Sequence, residues 1–293
     1  MIISTIGQGL LWGILGLGIF MTFRILNFPD MTTEGSFPLG GAVAVAAIHG
    51  GLTPLLATLL GVVAGMLAGL TTGLLYTKGK IPTILSGILV MTSTNSVILF
   101  VMGGRSNLNL LNRPSLQNSL EFLHLNKEFS TLILGGLTLF ILISLMLLFF
   151  DTRLGQAYIA TGDNETMAKS LGIYTDNMKL LGLAISNGII ALSGALICQN
   201  DGYVDINKGI GVIVIGLAAI IIGEVVFGEL TMGERLLAIV IGAVLYQLLI
   251  LAVVKFGFDT NYLKIFSSII LAICLMVPEL RKKLKLNIAR WGK

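Results

Sequence analysis

Residues 151–179 read DTRLGQAYIATGDNETMAKSLGIYTDNMK, a polar run enclosed by two long apolar segments, Thr131–Phe150 and Leu180–Ile197. The run has the length of a short helical hairpin, and its local signals predict a pinned helix inside it. Asp163 is placed to N-cap a helix over Asn164–Leu171, accepting backbone N–H bonds at its start. Gly172 supplies the left-handed residue that ends the helix. Ile173 follows, where an apolar side chain can close over Met167 and Ala168 in a Schellman-type stop. Eight residues of helix span about 12 Å, and Met167, Ala168 and Leu171 form a small apolar face on it. Polar runs between apolar segments are commonly solvated connectors. Two defined ends and an exposed apolar face favour a docking element instead.

The rest of the composition explains what surrounds this run. Of 293 residues, 55% are hydrophobic and only 12% are charged, with a mean hydropathy of +0.93. Soluble domains carry about 25% charged residues, so half that value calls for an apolar solvent. The chain reads as an all-α polytopic membrane protein without an independent soluble domain. Its 36 glycines fit, because small residues let membrane helices approach closely. Long apolar runs without strand-period alternation exclude a β-barrel. The net charge of +4 does not indicate nucleic-acid binding, because the basic residues collect at membrane edges. Cys198 and Cys274 lie in apolar segments and form no CxxC motif, so both read as packing residues. His49 and His124 stand without a second ligand at metal spacing, and no metal site is expected. No Lys or Arg precedes Arg24, so the first apolar segment lacks a signal-peptide n-region and is expected to be retained.

At about 20 residues per span, nine segments emerge: Gly7–Phe23, Phe37–Ile48, Leu52–Tyr76, Ile81–Gly103, Ser130–Phe150, Leu180–Gln199, Gly209–Phe227, Glu234–Val254 and Tyr262–Val277. The second is too short to cross alone. It follows Asn27-Phe28-Pro29-Asp30, where proline removes a donor and biases Phe28 away from helical dihedrals. A broken or partly re-entrant segment is expected there, covered by protein or lining a cavity. If 151–179 is cytoplasmic, thirteen Lys and Arg share its side, including the basic tail 281–293, and six fall opposite. The positive-inside rule then puts the N-terminus outside, the loop 104–129 outside, and the C-terminus in the cytoplasm. Gly35–Ile48 and Gly209–Ile222 show a faint likeness, which an inverted repeat or shared membrane composition explains equally well.

Candidate functional residues fall into three groups besides the 151–179 run. Arg24–Gly41, RILNFPDMTTEGSFPLGG, packs Asn27, Asp30, Thr32, Glu34 and Ser36 beside Phe28 and between fixed prolines, as a gate or cavity lining would. An ordinary turn-rich loop is the alternative. In the fourth span, Thr92, Asn95 and Ser96 share a face by i, i+3, i+4 spacing. They line a pathway or hydrogen-bond a neighbouring helix, the latter for under about 1–2 kcal/mol each. Arg105 and Arg113, in the 104–129 loop, are placed to meet acidic groups of a partner at the outer face, or merely flank the span. Asn187, Glu224 and Gln247 are further polar groups in apolar surroundings. A central carboxylate costs about 2.5–3.5 kcal/mol on insertion scales, so Glu224 is expected near the inner interface. Gly73–Ile81 only echoes a P-loop, with one residue too many and Ile81 where a hydroxyl would hold magnesium. Without a nucleotide site or an intramembrane acid pair, energy must come from another subunit or an ion gradient.

Taken together, the chain resembles the permease subunit of an ABC importer in the branched-chain amino acid and ribose permease superfamily, closest to its tryptophan/tyrosine-type branch. Asn27-Phe28-Pro29-Asp30 through Glu34-Gly35-Ser36-Phe37-Pro38-Leu39-Gly40 resembles that branch's signature. Arg153-Leu154-Gly155 through Asn164, Ala168 and Leu171-Gly172-Ile173 resembles the superfamily's coupling loop. The family's loop often carries arginine shortly after its first glycine, whereas Gln156, Ala157 and Tyr158 follow Gly155 here. The resemblance implies a type II importer-like fold, a permease homodimer, two cytoplasmic ATPase subunits holding ATP and magnesium, and an extracytoplasmic binding lipoprotein. Gly155, Asp163, Asn164, Met167, Ala168, Leu171, Gly172 and Ile173 would then form the coupling surface. The solute would be a small organic molecule, with an aromatic amino acid suggested by the branch, and the location a bacterial inner membrane. A stand-alone ion-coupled carrier is the competing reading. A membrane enzyme is disfavoured, because no nucleophile–base or metal constellation is present.

Overall fold

The computed structural model describes residues 2–111, 113–117, 127–228 and 231–255, with isolated helical positions between 265 and 276. In chain order the helices are α1 (Ile2–Ile19), which runs on as a π-helix over Phe20–Ile25, α2 (Thr33–His49), α3 (Pro54–Thr77) and α4 (Thr83–Val101). After them come α5 (Lys127–Asp151), α6 (Arg153–Asp163), α7 (Glu165–Ser170), α8 (Thr175–Asp201), α9 (Val212–Phe227) and α10 (Met232–Lys255). Two short strands, β1 (Asn107–Asn109) and β2 (Tyr203–Asp205), pair antiparallel.

The bundle is built around α8. Its apolar window is 78% buried, against 22% for α5 and 28% for α4 and α10, so the last three present most of their surface outward. Burial of α8 follows from its small residues. A Cβ at Gly194 would run into the Phe37 carbonyl of α2, and one at Gly69 of α3 would run into the Leu183 carbonyl of α8. Backbones therefore meet almost directly, which is how helices gain packing energy when lipid supplies no hydrophobic drive. On the other side α1 packs on α8, and α9, α10 and α5 pack on α1. Trp12 of α1 stacks on Phe37 of α2 at 5.4 Å, which closes the centre of the bundle.

Among the described residues, seven helical stretches are long and apolar enough to cross a membrane: Ile2–Ile25, Pro54–Thr77, Thr83–Val101, Glu128–Asp151, Thr175–Asp201, Ile206–Phe227 and Met232–Lys255. They correspond to seven of the nine expected segments. The second segment differs from expectation. It is not broken: α2 is a continuous helix of 17 residues that starts at Thr33 and carries Pro38 inside it. The break lies before it, over Leu26–Thr32, because Pro29 removes a donor and Asn27 adopts a left-handed φ of 51°. The ninth segment, Tyr262–Val277, lies almost wholly outside the described residues, and the tail 281–293 lies outside them entirely.

Helix direction alternates through the bundle and defines two ends. One end collects Arg24, Lys78, the α6–α7 hairpin and Glu224. The opposite end collects His49, Arg105, Asp201 and the β1–β2 ribbon, whose register sets Leu108 against Val204. Strands were not expected in an all-α chain, and they amount to three residues each.

Candidate functional site

The hairpin begins with α6, a helix that the sequence did not announce. Thr152 caps it, accepting from the Gly155 amide at 3.1 Å. Its one large buried side chain, Tyr158, donates to the Met21 carbonyl at 2.6 Å in the π-helical turn that ends the first span. Gly162 lies on the Ile25 carbonyl, where a Cβ would collide. Asn27 donates to the Gly162 carbonyl at 3.0 Å. The hairpin is thereby sewn to the end of α1 and to the irregular segment after it.

The short helix α7 follows, and Asn164 caps it rather than Asp163. Asn164 has extended dihedrals and accepts from the Met167 amide at 3.0 Å, whereas Asp163 is still the last residue of α6. Both are capping residue types one position apart, and the extension of α6 decides between them. The C-terminal end is as expected. Gly172 has a φ of +82°. The Ile173 amide donates to the Ala168 carbonyl at 3.0 Å and the Gly172 amide to the Lys169 carbonyl at 3.0 Å, the two bonds of a Schellman stop.

The apolar face of α7 differs in one member from expectation. Ala168 is fully buried and Gly155 is buried as well, so neither reaches the surface. Met167 (50% exposed), Leu171 (69%) and Tyr174 (79%) form the outward face. Tyr174 went unnoticed in the sequence; it lies past the left-handed Gly172 at the N-cap of α8, so no helical spacing from α7 announces it. Ile173 is half-buried, and Asp163 and Asn164 are exposed. Glu165 anchors the helix from below, with Oε1 at 2.8 Å from Lys169 and Oε2 at 2.8 Å from Lys179. Hydrogen bonds from Lys169 and then Lys179 lower its carboxyl to about 2.

The Arg24–Gly41 residues meet in a buried cluster instead of lining an open cavity. Asp30, Thr32, Thr33, Ser36, Thr72 and Asn187 are all fully buried. Asp30 accepts from the Thr32 amide at 2.9 Å and from the Asn187 amide group at 2.7 Å. Asn187 in turn accepts from Ser36 at 2.6 Å, and the Thr32 and Thr72 hydroxyls lie 2.6 Å apart. Three helices, α2, α3 and α8, are thus pinned at one point, each buried polar atom finding a partner. Phe28 is buried edge-on to Tyr76. Glu34 is half-buried and accepts from the Gly211 amide at 3.0 Å, and Asn27 is exposed.

On α4 the expected face is outward: Thr92 and Ser96 are exposed and Asn95 is half-buried. Thr94, one position off that face, is buried and fits against Gly35. A groove of about 610 Å3 between α2, α3 and α4 is lined by Thr71, Ser93 and Thr94 among aliphatic side chains. Arg105 and Arg113 are exposed at the opposite end. Glu224 ends α9 on the hairpin side, where Arg24 binds it through Nε at 2.8 Å and Nη2 at 2.5 Å. Among the described residues, no three His, Cys, Asp or Glu side chains gather as a metal site.

Membrane-length helices packed on one small-residue axis, with a capped hairpin projecting at one end, define a polytopic membrane protein. The chain belongs to the family described as branched-chain amino acid transport system / permease component, which it matches over residues 1–275. It is 40% identical over 290 residues to a tyrosine transport system permease protein of Clostridioides difficile, covering 99% of this chain and 95% of that one. An uncharacterized protein of Rickettsia prowazekii is 32% identical over 278 residues, covering 94% and 96% of the two chains. An autoinducer 2 import system permease of Yersinia enterocolitica is 25% identical over 212 residues, covering 70% and 55%. PsaBC from Streptococcus pneumoniae, solved in complex with Fab, shares the fold at a TM-score of 0.56 and 16% identity, covering 98% of this chain and 93% of that one. The chain is therefore an ABC-type permease, a transport subunit and a multi-pass protein of the bacterial inner membrane.

Proposed function

We propose that this chain forms, with a second copy of itself, the membrane pathway of an ATP-driven importer. A small organic solute, an aromatic amino acid such as tyrosine, is delivered by an extracytoplasmic binding protein and passes by alternating access. The α6–α7 hairpin faces the cytoplasm, and two separate ATPase subunits, which hold ATP and magnesium, seat α7 in a groove. The N-terminus and the Arg105–Arg113 region face outward toward the binding protein.

The observation that carries this reading is the face of α7. Met167 and Leu171 project outward from a helix capped at both ends and outside the membrane-length spans, and Tyr174 stands exposed beside them at the N-cap of α8. Exposed apolar side chains on a rigid support are what a partner's groove requires. The excess of Lys and Arg on the hairpin side supports the orientation. The name of the Clostridioides relative supports the solute.

Leu171→Asp tests the reading. It alters no transmembrane packing, so the permease is expected to insert and assemble. A carboxylate pressed into an apolar groove is desolvated without a partner, at a cost of several kcal/mol. Co-purification of the ATPase subunit and tyrosine-stimulated hydrolysis in proteoliposomes are both expected to be lost. Normal assembly with the ATPase would refute α7 as its docking helix.

A further inference from the structure

Lys179 has no place in the docking face, yet it sits where that face meets the bundle. Its side chain is 8% exposed. Its ammonium contacts Glu165 of α7 at 2.8 Å and donates to the Tyr76 hydroxyl at the end of α3 at 3.2 Å, lying 4.8 Å from the Tyr76 ring centroid. The Tyr76 ring takes Phe28 edge-on, with centroids 5.2 Å apart and planes at 88°. Phe28 lies two residues before Asp30, whose carboxylate holds Asn187 and, through it, Ser36 of α2.

We propose that Lys179 is a positioning residue that passes displacement of α7 to the Phe28–Asp30 segment, so that nucleotide state is communicated to the buried polar cluster. The inference rests on the reading of α7 as the ATPase-docking helix. Each step of the route is a direct contact: Glu165 to Lys179, Lys179 to Tyr76, Tyr76 to Phe28. The carboxylate is a stiff handle, because Lys169 holds its second oxygen and the Thr175 hydroxyl lies 3.4 Å from it. Burial of the ammonium limits screening of the contact with Glu165. Lys169, by contrast, is exposed and belongs to α7 itself, so it connects nothing to the bundle.

Lys179→Met keeps an unbranched apolar stem and removes the charge. In the reconstituted complex the ATPase subunit should co-purify at the wild-type ratio, because Met167, Leu171 and Tyr174 are untouched. ATP hydrolysed per solute imported should rise roughly tenfold, within the range that a coupling free energy spans. The swap Glu165→Lys with Lys179→Glu should restore the ratio, which neither single change does. Tyr76→Leu should uncouple to a similar extent, and adding it to Lys179→Met should make matters little worse, as for residues acting as one unit. Lys78→Ala, an exposed cation at the same end, should change nothing.

Full coupling in Lys179→Met would overturn the relay. Loss of ATPase binding in that variant would overturn it too, by making Lys179 a docking residue. A swap that rescues nothing would count equally against it. Failure of the docking reading shows separately, as normal ATPase binding by Leu171→Asp.

Discussion

Asp30 accepts from two donors and, among the described residues, no cation pairs with it, so its value lies in what it satisfies. Asp30→Ala strips the Thr32 amide of its partner and takes one of the two acceptors from the Asn187 amide group, which keeps the Leu183 carbonyl at 3.0 Å. An unsatisfied buried donor costs about 1–3 kcal/mol, and interhelical hydrogen bonds in membranes sit at the lower end of such values. The midpoint of thermal unfolding in detergent should fall for Asp30→Ala, and Asp30→Asn, which keeps one acceptor, should fall between it and the native chain. An unchanged midpoint in Asp30→Ala would remove the cluster as a structural pin. Glu165 is the opposite case, a carboxylate near solvent with two cationic partners. Its carboxyl is lowered from 4.5 to about 2 in the folded chain, so its contribution is complete above pH 4.5 and fades as pH falls toward 2. Screening limits that contribution to about 1 kcal/mol or less. Amide protection factors in α7, taken against the intrinsic exchange rate at each pH, should therefore fall between those pH values in the native chain, and in Glu165→Gln they should be lower at neutral pH with little further change on acidification.

Within the hairpin, α7 was the more legible helix and α6 the less. The Schellman stop of α7 was readable because its signals, Gly172 and Ile173, act within one turn and depend on nothing distant. Gly172→Val tests that stop: a β-branched residue in the left-handed region costs about 1–2 kcal/mol or more, so the face should be presented askew and ATPase co-purification reduced. Gly172→Asn, which tolerates that region, should retain it. For α6 the sequence misleads, because Gly155 and Gly162 weaken helix propensity. The reason for both glycines is tertiary: the Phe149 and Ile25 carbonyls lie where a Cβ would stand. The polar density of Arg24–Gly41 was visible, and its fate as a sealed cluster was not. That fate is decided by Asn187 and Thr72, whose positions beside Asp30 and Thr32 depend on how α8 and α3 cross. In the fourth span the helical spacing of Thr92, Asn95 and Ser96 was right, but spacing alone cannot say which face is inward. Gly35, which admits Thr94, decides that. The β1–β2 ribbon is three residues long on each side and leaves no periodic pattern to read.

At the scale of the whole molecule, alternation of helix direction makes Arg105 and Met167 markers of opposite ends. With Cys198 and Cys274 removed, Arg105→Cys in intact cells should react with a membrane-impermeant thiol reagent, and Met167→Cys should react only after the membrane is opened. The reverse pattern would invert the proposed orientation and the place of the ATPase with it. The proposed second copy makes a sharper demand. Thr92, Ser93 and Ser96 are exposed on a membrane-length helix, and the Thr92 and Ser93 hydroxyls turn back to carbonyls one turn earlier, at 2.8–3.0 Å. Local bonding of this kind lets them tolerate lipid, so exposure by itself does not say what they face. In a homodimer with α4 against the central pathway, the same residues meet water in one state of the transport cycle and protein in the other. Thr92→Cys and Asn95→Cys should then react with small water-soluble thiol reagents at rates that change when the ATPase subunits bind nucleotide. Phe140→Cys, on the outward surface of α5, should remain unreactive in every state because lipid covers it. Protection of positions 92 and 95 in all states would place α4 against lipid or in a static helix contact, and the pathway would have to run elsewhere in the dimer.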